Sequence, residues 1–232
     1  MKRNCLWLLL FFPLGLIAHT SFPVDIKCPL DGKKFTVRVT GSYTVFKTYM
    51  DFQKEGAIGD LYQSMIVSCS KCHFSGYVDD FDTVYSSEIK HDLLEILKPW
   101  RRKKIDDISE CEIAAEIYSY FKKENRLIAN LYLIASYLAK NKKGSEKRKL
   151  RQLNCAVYLE RALDSGEYDK KETAYASNYY LIGELYRRLG EFEKAVKYFD
   201  IALANEYKAE WLEEAARKQR ELALKKDENN DI

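Results

Sequence analysis

Residues 131–138 and 179–186 are two versions of one segment. Leu131-Tyr-Leu-Ile-Ala-Ser-Tyr-Leu138 aligns with Tyr179-Tyr-Leu-Ile-Gly-Glu-Leu-Tyr186 at an offset of 48 residues. Further on, Cys155, Leu159, Ala162 and Leu163 align with Ala195, Phe199, Ala202 and Leu203 at an offset of 40. The difference falls in Lys140–Arg151, a basic stretch read as a solvated loop, where an insertion costs little. A helix A and a helix B are therefore repeated, with only their connection altered. Such a unit cannot bury its apolar face alone, so Ile108–Lys122 and Ala209–Lys225 are expected to close the ends of the array.

Local punctuation separates this half from the one before it. Six of ten glycines and three of four prolines lie before residue 80, and no proline follows Pro99. Alternating Phe35, Val37 and Val39, then Thr44–Phe46 and Ser64–Ser70, lean toward strands. Ser109-Glu-Cys-Glu112 reads as a capping box, and Gly166 and Gly190 read as helix stops. The division places a ribbon-like β module at 22–85, a helical domain at 88–226 and a polar tail at 227–232. The fold class is mainly α, α+β overall.

The later unit, Tyr179–Tyr207, resembles a tetratricopeptide repeat. Tyr179, Ile182, Gly183, Tyr186, Ala195, Phe199 and Ala202 stand at that pattern's bulky, small and aromatic positions, with Gly183 and Ala195 small where helices A and B cross. The resemblance implies a concave groove that receives a protein or peptide. Its lining would be Tyr132, Ser136, Ala139 and Lys140 from the first unit, and Ser177, Tyr180, Glu184, Arg187 and Arg188 from the second.

Two cysteine knuckles precede the array. Cys28-Pro-Leu-Asp31 and Cys69-Ser-Lys-Cys72 lie about forty residues apart, each beside a strand. Two tight turns that aim four ligands at one ion make a zinc ribbon. Here Asp31 stands at the second ligand position, with His73 as a substitute donor. Three readings are open: a structural zinc site of Cys28, Asp31, Cys69 and Cys72; a degenerate ribbon with a disulfide from Cys28; and covalent haem at Cys69-Ser-Lys-Cys72-His73, with His91 as second axial ligand. Cys111 and Cys155 fall on apolar helical faces and read as core thiols.

Residues 1–18 read as a secretory signal: Lys2 and Arg3, then the apolar run Leu6–Ile17, then Ala18. Twelve apolar residues are short for a membrane span, which needs roughly 20. Export to a periplasmic or extracellular space follows, with no membrane contact expected once the leader is removed. Without Lys2 and Arg3, 36 basic residues would face 35 acidic ones, too even a balance for a nucleic-acid footprint.

Together these segments resemble an uncharacterised bacterial family, domain of unknown function 2225. The matching stretches are Cys28-Pro-Leu-Asp-Gly-Lys-Lys-Phe35, Met65–Cys72 with Phe74–Phe81, Leu131–Lys140 and Tyr180–Leu203. The resemblance implies a ribbon-like segment before tetratricopeptide-like helices. It also implies cysteine where Asp31 stands and glycine where His73 stands. No catalytic residue is assigned: His73 and His91 lack a nucleophile motif nearby. The expected function is that of a non-enzymatic exported binding or scaffold protein. Electron transfer through covalent haem is the alternative.

Overall fold

The computed structural model describes residues 19–57, 59–140 and 145–229; the expected leader lies outside them. Three antiparallel strand pairs come first. β1 (His19–Lys27) pairs with β2 (Lys34–Tyr43), β3 (Val45–Thr48) with β4 (Lys54–Gly56), and β5 (Val67–Ser68) with β6 (Ser75–Gly76). The Ser64–Ser70 run is strand only at β5, because a 3-10 turn, Leu61–Ser64, takes up its start.

Seven helices follow among the described residues: α1 (Ser87–Ile96), α2 (Asp107–Tyr120), α3 (Asn125–Leu138), α4 (Ser145–Asp164), α5 (Thr173–Arg188), α6 (Phe192–Ala204) and α7 (Glu210–Leu224). From α2 onward each packs on the next, and α7 also touches α5. The repeated segments are the hairpins α3–α4 and α5–α6. A Cβ placed on Gly183 would lie 2.9 Å from the Phe199 ring and 3.2 Å from the Ala195 carbonyl, so α5 and α6 do cross closely there.

Helix ends follow local chemistry. Gly166 (φ +76°) and Gly190 (φ +80°) stop α4 and α5 in the left-handed conformation that glycine adopts freely. The start of α2 lies earlier than the Ser109 capping box implies. Asp106 is the cap, and the Ser109 N–H and O–H both donate to its carboxylate, at 3.0 and 2.7 Å. Lys140–Arg151 is also more ordered than a solvated loop, since α4 begins at Ser145 and Arg148 is buried.

The cores explain the arrangement. One joins the ribbon to the helices: Cys28, Cys69, Phe74 and Phe81 pack with Leu93 of α1, with Leu97 that caps it, and with Ile113 and Ile117 of α2. The other face of α2, through Cys111, Ala114 and Ala115, packs with Ile128, Leu131 and Ala135 of α3. Leu159, Tyr180, Leu185, Phe199, Leu212 and Ala216 belong to the third, formed mainly by α4 to α7. Serving two cores, α2 has buried apolar residues on opposite faces.

Candidate metal centre and the helical groove

The two knuckles are built alike. In the first, the Cys28 N–H donates to the Lys33 carbonyl (2.8 Å) and the Gly32 N–H donates back to the Cys28 carbonyl (3.0 Å). In the second, Cys69 and Phe74 make the first bond (2.9 Å), and His73 and Cys69 the second (2.8 Å). The turn residue is left-handed in both, Gly32 at φ +74° and His73 at φ +64°. His73 therefore fills a glycine-type backbone position, where an L side chain carries strain.

The strand pairs β1–β2 and β5–β6 bring these turns together. One donor atom from each of Cys28, Asp31, Cys69 and Cys72 lies within 4.8 Å of the others. Cys28 Sγ and Cys72 Sγ are 3.4 Å apart, and Cys69 Sγ lies 3.6 and 3.7 Å from the two Asp31 carboxylate oxygens. A tetrahedron with zinc–sulfur bonds of about 2.3 Å has edges of about 3.7 Å, close to these separations, and donors up to 4.8 Å apart need only draw inward to meet one ion. His73 is not one of the four.

Electrostatics at the site favour charged donors at one end. The Cys72 thiol and the Leu30 and Asp31 amides bring the Cys28 thiol down to about 7, against its burial. The corresponding amides, Lys71 and Cys72, face Cys69, but burial prevails and its thiol stays raised. Cys72 is pushed up by the shared hydrogen bond with Cys28 and by burial. Burial works against the Asp31 carboxylate, yet the Lys33 amide and the three thiols outweigh it and hold its pKa below the usual value. All five described cysteines are free thiols. Cys111 and Cys155 are raised by burial first and lie in helical cores away from this cluster.

The positions expected to line a groove are mostly interior. Ser136, Ala139, Tyr180, Glu184, Arg187 and Arg188 are buried. What covers the charged ones is the chain itself. Asp51, at the tip of the β3–β4 hairpin, is fully buried, with its carboxylate 2.7 Å from Arg188 Nη1 and 3.3 Å from Arg148 Nη2. The Tyr137 hydroxyl donates to the Asp51 carbonyl. Phe52 packs on Tyr180 and Trp211, with ring centroids 5.6 and 5.7 Å away.

Glu184 receives both arginines, Arg187 at 2.8 Å and Arg188 at 2.6 Å. Arg187 also donates to the Asp227 and Asn229 carbonyls at 2.6 and 2.8 Å, so residues 227–229 dock on the array instead of trailing free. A buried charge needs such partners, which is why acid from the hairpin and carbonyls from the tail converge here. Lys140 sits at the edge, its ammonium 3.3 Å from the Tyr49 ring centroid. Tyr132 and Ser177 stand apart: Tyr132 stacks on Tyr158, and the Ser177 hydroxyl donates to the Thr173 carbonyl. Sequence reasoning missed Asp51 and Arg148. Asp51 carries no motif, and Arg148 was hidden in a basic run.

A family model described as an uncharacterized protein conserved in bacteria (DUF2225) matches residues 22–223. No curated protein and no solved structure matches the chain. No helix among the described residues is long and apolar enough to cross a membrane.

Proposed function

The chain belongs to that uncharacterised bacterial family, and from this premise we propose a non-enzymatic, exported binding protein: a helical scaffold of tetratricopeptide type packed on a ribbon whose two knuckles are held together by a structural zinc ion. Cys28, Asp31, Cys69 and Cys72 hold the ion. The observation that carries the metal reading is the convergence of these four donors, from two like-built knuckles, inside a core shared with α1 and α2. The ion supplies cross-linking there. In zinc-finger peptides, binding contributes on the order of 10–16 kcal/mol to folding, enough to fix a small ribbon with little core of its own.

The haem reading finds less support. Thioether attachment needs both sulfur atoms presented to a macrocycle, whereas Cys69 and Cys72 are buried and face Asp31 and Cys28. The leader sequence supports export, and the aromatic and arginine-rich interior of the array supports recognition of an extended protein segment. Metal and thiol analysis of the mature chain tests the centre. One zinc per chain and five reactive thiols after denaturation are expected. No metal and three thiols would replace the zinc with a disulfide, and a Soret band would replace it with haem.

A further inference from the structure

We propose that the tip of the β3–β4 hairpin is a built-in occupant of the groove, and that the groove's partner is an extended protein segment carrying a carboxylate followed by an aromatic side chain. This rests on the binding reading above and names its partner class. The hairpin is made as a ligand is made. Every residue of β3 is exposed, as are two of three in β4, so its strands add little to the cores. Its tip is different: Asp51 is completely buried and Phe52 packs among aromatic rings. The receiving groups come from separate helices, Tyr137 from α3, Arg148 from α4, Arg188 from α5 and Trp211 from α7.

Charge fixes the partner's chemistry. Arg188 and Arg148, two guanidinium groups from different helices, share the one Asp51 carboxylate, and its withdrawal removes that contact from both. An incoming segment displaces the tip only if it brings an acid to the same place. Two features make the exchange accessible. Phe52 is held at φ +68°, a strained conformation for an aromatic residue, which release would relax. Beside the tip runs an open, mainly apolar cleft of about 530 Å³, lined by Met50, Phe52, Tyr180, Trp211 and Ala215, where an aromatic side chain can land first.

The test uses the full metal-loaded chain and a labelled peptide of sequence 47–54, Lys-Thr-Tyr-Met-Asp-Phe-Gln-Lys, followed by fluorescence anisotropy. The isosteric Asp51→Asn variant, whose own tip is weakened, should bind the peptide at least tenfold more tightly than the unaltered chain. A peptide with Asn in place of Asp should lose at least tenfold. In the unaltered chain, excess peptide should hasten tryptic cleavage after Lys47 and Lys54, a reading that holds even if the variant folds poorly. Equal binding by both chains or by both peptides, or absence of binding with no change in cleavage, overturns the proposal. Exchange of hairpins between two copies, seen as a dimer whose formation the peptide does not compete with, overturns the partner assignment. Failure in a chain carrying its full zinc rejects the internal occupant alone; absence of zinc rejects the metal centre alone.

Discussion

Gly183 shows how little room single residues have. A Cβ in place of its hydrogen would lie 2.9 Å from the buried Phe199 ring, nearer than side chains ordinarily come, and 3.2 Å from the Ala195 carbonyl. Gly183→Ala should therefore destabilise the chain by about 1–3 kcal/mol through overpacking, read from the midpoint of urea unfolding. Glu110 is a second sensitive point. Burial, then Asp107 and Asp106, raise its pKa to about 7. An acid whose pKa is higher when folded binds its proton more tightly in the native state, so it withdraws stability as pH rises from about 4.5 to 7. Glu110→Gln should accordingly stabilise by about 1–2 kcal/mol at pH 8 and by much less at pH 5, allowing for partial solvent screening. Denaturation of both proteins at the two pH values checks this. The four clustered donors, Cys28, Asp31, Cys69 and Cys72, were legible because knuckle spacing is local. Asp51 was not: its arginine partners lie 97 and 137 residues away, and nothing near it in sequence marks an acid destined for burial.

Elements were legible where their ends or faces carry local chemistry. Gly166 and Gly190 announce where α4 and α5 stop, but α2 and α7 end in the same left-handed manner at Lys122 (φ +50°) and Lys226 (φ +57°), where no glycine signals it. The start of α2 was read three residues late because Ser109 has the right spacing to Glu112, while Asp106 is the residue whose carboxylate receives the amide. Asp106→Ala should lower stability by about 1 kcal/mol, whereas Ser109→Ala should cost less, since only a side-chain hydroxyl bond is lost. Thermal unfolding of the pair separates the two assignments. β1 went unread because it runs through Pro23 directly after the apolar run Leu6–Ile17 of the sequence. Pro23 is tolerated because, among the described residues, β1 pairs with β2 alone and is an edge strand.

Across the whole molecule, the cores chain the ribbon to the array. α2 lends Ile113 and Ile117 to the ribbon core and Ala114 and Ala115 to the helical one, so the four-donor cluster and the start of the helical array are joined through one helix. Chelation should therefore speed amide hydrogen exchange in α1 and α2 as well as in β1, β2, β5 and β6. Change confined to the strands would show that the shared core carries no coupling. The repeat made the array legible, but not what fills it, because no periodicity records a hairpin tip reaching in from another part of the chain. The central claim remains the mixed donor set that fastens the ribbon. X-ray absorption at the zinc edge of the mature chain measures it most directly. Three sulfur ligands at about 2.3 Å and one oxygen at about 2.0 Å are expected; a shell without sulfur, or a chain without zinc, would contradict it.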